Sequence, residues 1–294
     1  MELQWPLILF TAFVAWAAGL FGTQALYALK GEATKAQMPA WVTSAVLLVI
    51  GGIAVFLHLE HWERIFNGFG HLTSGITQEL IAIVLLAIVA IAYLVSLRKT
   101  DEQHPFPKAV AILAIVLSVA TVLVMAHSYM MAARPAWNSI CWILYVLGNA
   151  CIIGPATMAL ICAAVNDVPA KTPIVVIAGA AINAVTTLLY AVSVQLSGDA
   201  FTQVQYYFDP TDPTRPMVDT AASMNVFTGE QAIILWVCVV LVGALVPLVV
   251  ALLARKAEAS WKVYSVIILV CALIGVIAMR MIFFTMGVSV FMYY

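Results

Sequence analysis

Three of the five histidines of this chain, His58, His61 and His71, fall in one stretch, IAVFLHLEHWERIFNGFGHLTSGITQELIAI, which covers residues 53–83. Glu60, Glu63, Arg64 and Glu79 share it, in a chain of which only 9% is charged. An imidazole has an unperturbed pKa of about 6.5, so it can accept and release a proton near neutral pH. A carboxyl a short way along can hand that proton on to water. Two more ionisable side chains, His127 and Arg280, lie inside apolar runs. Ionisable groups at membrane depth are costly, which makes each a candidate site. His58 ends one apolar run and Glu79 begins the next. His127 is expected about one and a half turns, and Arg280 about two turns, from the same end of their own runs. Each has a plainer explanation: an interfacial histidine, a first-turn acid favoured by the helix dipole, a hydrogen-bonded core histidine, a snorkelling arginine. Independent accidents would scatter through both halves of a membrane, so the common depth favours one shared polar pocket.

Such a pocket suits a lipid-soluble ring that carries two oxygens. A quinol needs a hydrogen-bonding group at each oxygen, an apolar slot open to lipid, and a base for its protons. His58 is placed to be that base and Glu79 the carboxyl that passes the proton outward.

The elements that must position these groups are spanning helices. The 294 residues are 64% hydrophobic, with a mean hydropathy of +1.06, whereas soluble domains are roughly half apolar. The net charge of −1 and the lack of a basic tail give no footing for nucleic acid. A span needs about 20 mostly apolar residues. Eight runs qualify: 5–29, 41–59, 79–97, 108–132, 137–165, 172–196, 231–254 and 261–287. Backbone polar groups must be satisfied internally in lipid, and nothing alternates like a barrel strand, so the runs predict an all-α, eight-helix membrane bundle forming one anchor domain over 1–294. The opening MELQWPLILF has no Lys or Arg and reads as a retained first span rather than a signal peptide. Gly154-Pro155 and Pro247 are the expected places for a kink.

Connections after the first, third, fifth and seventh spans hold nine of the thirteen basic residues. The alternate connections hold Arg64, Arg134 and Arg215, and Arg280 lies within the last span. By the positive-inside rule both termini and the 53–83 stretch face outward, to the periplasmic or extracellular side of the cytoplasmic membrane. Between His58 and Thr73, Leu59, Trp62, Phe66 and Phe69 recur at helical spacing, which predicts a short amphipathic helix in the outer interface. Thr77 stands where an N-cap would, ahead of Glu79. The longest connection, residues 197–230, carries Tyr206, Tyr207 and Phe208 before three Pro-containing pairs and is a candidate docking surface. Cys141, Cys151, Cys162, Cys238 and Cys271 all lie in apolar runs without a C-x-x-C pair. They read as buried apolar residues, and no metal site is expected in this chain.

The segment LHLEHWERIFNGFGHLTSGITQELIA resembles the H-L-G-x-P-x-R-x-x-N pattern, followed by a helix-starting Ser-x-E, of the dimethyl sulfoxide reductase membrane anchor family (DmsC type, related to NrfD-like anchors). Further matches are spread over most of the chain. Gln4-Trp5-Pro6-Leu7-Ile8-Leu9-Phe10-Thr11 resembles the family's opening, and Tyr129 with Pro135-Ala136-Trp137-Asn138-Ser139 its Tyr…Pro-x-Trp pattern. Gly154-Pro155 matches the Gly-Pro of its fifth helix, and Arg280-Met281-Ile282-Phe283-Phe284 its late Arg-x-x-F-Y. Glu60 and His61 depart from the pattern, and His127 stands where an Arg is common. The resemblance implies a subunit with no redox metal and no covalently bound cofactor, which oxidises menaquinol to menaquinone near the outer face. It places the site histidine on His58 and its acidic partner on Glu79. Arg64, His127, Tyr129 and Arg280 are expected to complete the quinol-binding set. Electrons would pass to a four-cluster, ferredoxin-like iron–sulfur subunit, then to a molybdenum–bis-pterin catalytic subunit, in anaerobic respiration.

Two other classes compete. A haem b anchor needs two facing histidines inside the bundle, and only His58 and His127 could pair. A secondary transporter usually carries midplane polar sites and paired repeats; here the midplane is apolar and no repeat is evident.

Overall fold

A computed structural model describes residues 3–58, 61, 67, 70–101, 103–202, 223–255 and 261–290. Eight of its helices are long and apolar enough to cross a membrane. They are α1 (Trp5–Leu29), α2 (Gln37–Phe56), α3 (Gly75–Lys99), α4 (Lys108–Ser128), α5 (Ile140–Ala164), α6 (Thr172–Ser197), α7 and α8 (Trp261–Thr285). The seventh is a π-helical segment, Ile234–Leu245, that continues into an α-helix, Val246–Ala254. A one-turn helix, Asp199–Thr202, follows α6. The end of the bundle where α1 begins and α8 finishes is called the upper end below. The chain is a multi-pass membrane protein.

Burial separates core from rim. Within their most apolar windows, 72% of α5, 61% of α1 and 56% of α8 is buried, against 17% of α3 and 28% of α2. The first three therefore form the core, and α2 and α3 lie at the edge with most of their apolar side chains facing outward. Lipid gives no hydrophobic drive between helices, so close approach depends on small residues. A Cβ on Gly154 would collide with the Gly19 backbone, one on Gly179 with the Cys151 carbonyl, and one on Gly243 with Gly275 Cα. The Gly154-Pro155 pair thus marks where α5 lies against α1. Pro247 falls where α7 passes from π to α geometry.

The lower end is closed by polar locks. Tyr93 donates to Gln37 Oε1 at 2.8 Å, Gln24 Nε2 donates to the Gln37 carbonyl at 2.7 Å, and Tyr27 bonds Thr172 at 3.2 Å. The Lys35 amide donates to Asp167 at 2.8 Å across the connections.

Several expected limits are corrected. Helix α3 starts at Gly75, so Thr77 is a buried residue inside the first turn rather than its N-cap, and Glu79 lies more than a turn in. Ser74 takes the capping position in an extended conformation. Helix α4 stops at Ser128 rather than Ala132, because the apolar residues beyond it form a turn instead of helix. His127 is therefore in the last turn. Helix α2 ends at Phe56 and leaves His58 two residues beyond it. The expected amphipathic helix with Leu59, Trp62, Phe66 and Phe69, and the aromatic loop with Tyr206, Tyr207 and Phe208, lie outside the described residues.

Candidate functional site

The upper end holds a buried carboxyl and a buried guanidinium. Gly75 rests on the last turn of α4, where a Cβ would lie 2.9 Å from Ser128 Cβ. That contact brings the start of α3 against the end of α4. One turn on, at i+4, Glu79 faces the same way. It is 8% exposed, and its Oε1 accepts from the Ser128 hydroxyl at 2.6 Å. The Met125 carbonyl lies 2.8 Å from the same hydroxyl, so one hydrogen serves two acceptors.

After Ser128 the chain turns, and Tyr129 packs edge-on against Trp137, Phe283 and Phe284, with centroids 6.5, 5.9 and 6.3 Å away. Trp137 stacks on Phe283 at 4.6 Å and donates from Nε1 to the Phe283 carbonyl at 2.6 Å. Trp142 stacks on the same Phe283 at 3.9 Å and tilts against Tyr145 and Tyr190. These rings form an aromatic wall at the upper end. The Trp142 indole N–H is buried with no acceptor among the described residues.

Behind that wall lies Arg280, with 0% exposure. Its Nε donates to Thr11 Oγ1 at 2.9 Å, and one terminal nitrogen donates to Asn149 Oδ1 at 2.9 Å and to the Val276 carbonyl at 3.2 Å. The other terminal nitrogen donates to the Thr11 carbonyl at 3.3 Å. Among the described residues all four acceptors are neutral. Arg280 Cζ stands 6.0 Å from the Trp142 ring. Tyr129 is within electrostatic reach of both Glu79 and Arg280.

Of the residues singled out by sequence, Glu79, Tyr129 and Arg280 thus gather at one end of the bundle. His58 is exposed, as are His61 and His71. Helices α2 and α3 touch little, and no hydrogen bond joins His58 to Glu79 among the described residues. His127 is exposed beside the half-buried Ser128. Arg64 lies outside the described residues. Sequence reasoning missed Thr11, Asn149, Asn183 and Trp142. The available signal was two amide side chains deep within apolar spans, where polar groups are expensive.

A sizeable cavity lies elsewhere. It measures about 390 Å³ and opens between α4 and α6 over a floor of α1 and α5 that includes Gly19, Gly22 and Ala150. Its lining is almost wholly apolar, with Ser118, Thr23 and Cys151 the polar exceptions. It has the character of a groove for lipid chains rather than of a reaction site. No group of three His, Cys, Asp or Glu could hold a metal among the described residues, and the five cysteines are unpaired.

The family model described as DMSO reductase anchor subunit (DmsC) matches residues 1–286. No curated protein matches the chain significantly.

Proposed function

The chain belongs to the DMSO reductase anchor subunit (DmsC) family, and from that membership and the upper-end geometry we propose that it binds menaquinol there and oxidises it to menaquinone. As a family member it is the membrane anchor of a DMSO reductase-type oxidoreductase complex, without the catalytic centre of that complex. The proposal adds the quinol chemistry, the cytoplasmic membrane as its place, and outward-facing termini, as the distribution of basic residues favours. It also adds the recipients. Two electrons per quinol go to a four-cluster iron–sulfur subunit docked on the outer loops, and from there to a molybdenum–bis-pterin subunit.

The observation that carries this reading is the buried Glu79 carboxyl at the α3–α4 junction, beside an aromatic wall. Ser128 engages Oε1, which leaves Oε2 to carry a proton. The carboxyl offers an acceptor to a ring oxygen, and the half-buried Tyr129 offers the ring an aromatic neighbour. His58 accepts the ring proton as general base, and Glu79 relays it to water. His127, Tyr129 and Arg64 complete the polar set, while Arg280 stands behind the aromatic residues. The haem alternative is disfavoured because His58 and His127 are both exposed, not facing each other inside the bundle.

His58→Gln is expected to leave the complex assembled and to block quinol oxidation. The check is the rate of quinol-dependent acceptor reduction by the purified complex; a wild-type rate would remove His58 as the base.

A further inference from the structure

A guanidinium carries its charge at any physiological pH and has five N–H donors. A charge buried without a counter-ion is normally expensive. Arg280 nevertheless sits fully buried, with four hydrogen bonds to neutral oxygens.

Its surroundings are built to hold it. Asn149 accepts from Arg280 through Oδ1 and donates through Nδ2 to Asn183 Oδ1 at 3.0 Å. Asn183 donates in turn to the Gly243 carbonyl at 3.2 Å. Gly243 lies in the π-helical segment of α7, two residues before its end. Each amide presents its oxygen toward the cation and its N–H away, and the dipoles align. The chain runs from α8 through α5 and α6 to α7, with Thr11 holding the guanidinium from α1. The titratable groups acting on Arg280 are Tyr145 on α5 and Tyr129 beyond α4. Glu79, bonded to Ser128, is the titratable group near Tyr129 on α3.

We propose that Arg280 is a positioning residue whose fixed positive field, held in place by Thr11, Asn149 and Asn183, stabilises the negative charge that develops on the quinol oxygen as its proton leaves. Arg280 does not touch the ring. It acts through the aromatic wall, in a low-dielectric setting where a charge is felt over several ångströms. The inference rests on the quinol reading above. In that reaction one quinol loses two electrons to the iron–sulfur partner and two protons by way of His58 and Glu79, and Arg280 keeps its own protons throughout.

The test uses the complete purified complex with a short-chain quinol and follows kcat and KM against pH for Arg280→Lys, Arg280→Met and Asn149→Asp. Lys and Met are similar in shape and differ in charge. Asp at 149 keeps the guanidinium but sets a carboxylate against it. Arg280→Met and Asn149→Asp are expected to move the acid limb of the kcat profile upward by about one pH unit, which is about tenfold in rate on that limb, with KM within about twofold. Arg280→Lys should stay near the wild-type profile. Equal losses for Lys and Met, or an unmoved profile for Asn149→Asp, overturn the proposal. Loss of assembly in all three, the charge-keeping Lys included, makes Arg280 a folding residue and overturns it too. If Arg280→Met alone fails to assemble, Asn149→Asp decides. His58→Gln measured alongside separates the two claims. A wild-type rate in that variant removes His58 as the base, and a wild-type complex that reduces no acceptor with quinol defeats the quinol reading itself. A blocked rate together with unmoved Arg280 and Asn149 profiles defeats this inference alone.

Discussion

Glu79 and Arg280 are both buried ionisable groups at the upper end, yet their surroundings differ in kind. Glu79 stands at the rim, on the least buried helix, with one hydrogen bond from Ser128. Arg280 stands in the core, with four hydrogen bonds drawn from α1, α5 and its own helix. A carboxyl held by one hydroxyl at a thinly packed edge can exchange protons with a substrate and with water. A guanidinium that donates four hydrogen bonds to neutral acceptors in a glycine-packed core can do neither. The same price in desolvation therefore supports two roles, a mobile proton at the rim and a fixed charge in the core.

The comparison breaks most visibly in the core. Gly154→Val drives a side chain into the Gly19 backbone, where no flexible group can yield. Overpacking of this kind costs about 1–3 kcal/mol even where neighbours can shift. The variant is expected to lose most of the folded complex from membranes, measured as anchor abundance and as retention of the partner subunits. Wild-type abundance would mean that the α1–α5 contact is not what holds the core.

At the rim, substitutions should alter rate rather than abundance. Glu79→Gln removes the proton-carrying atom while keeping the shape and an acceptor for Ser128. Turnover should fall about 100-fold, the lower range for a lost general acid–base group, with the amount of assembled complex unchanged. Ser128→Ala keeps the carboxyl and removes only its hydrogen bond, so a fivefold effect on turnover, about 1 kcal/mol, is expected. If Ser128→Ala matched Glu79→Gln, the hydrogen bond rather than the proton would be the essential feature.

The smallest effect is expected at the other end of the bundle. There the exposed Asp101 accepts from the His104 and Gln103 amides at 2.7 and 2.9 Å. The hydrogen bond from the His104 backbone, then that from its side chain, holds the Asp101 carboxyl below its ordinary range. A depressed carboxyl contributes order that is present above its unfolded value and is lost as pH falls through the lowered one. Asp101→Asn should speed amide exchange at Gln103 and His104 near neutral pH and leave quinol oxidation unchanged. A change in turnover would tie this loop to the site.

The ionisable groups were legible in the sequence and the neutral partners that hold Arg280 were not, for a physical reason. His58, Glu79, His127 and Arg280 announce themselves as charges or imidazoles in apolar runs, and the eight spans follow from hydropathy alone. Asn149, Asn183 and Thr11 carry no charge, and they meet Arg280 or one another across 131, 34 and 269 residues of sequence. Hydropathy gives no account of such pairings. It also misplaced the end of α4, because Tyr129, Met130 and Met131 are as apolar as the helix before them, while the turn there is set by packing against α8. The Thr77–Glu79 pair imitated a helix start, but Gly75 on Ser128 fixes that start three residues earlier.

The central claim, that quinol is held at the upper end near Glu79, is tested most directly by photolabelling. The intact complex would be irradiated with a photoreactive menaquinone analogue and the adducts mapped by peptide mass spectrometry. The account predicts adducts within residues 58–79 and 127–130, suppressed by excess menaquinol. Adducts confined to the apolar groove, at 115–122 of α4 and 174–182 of α6, would contradict it.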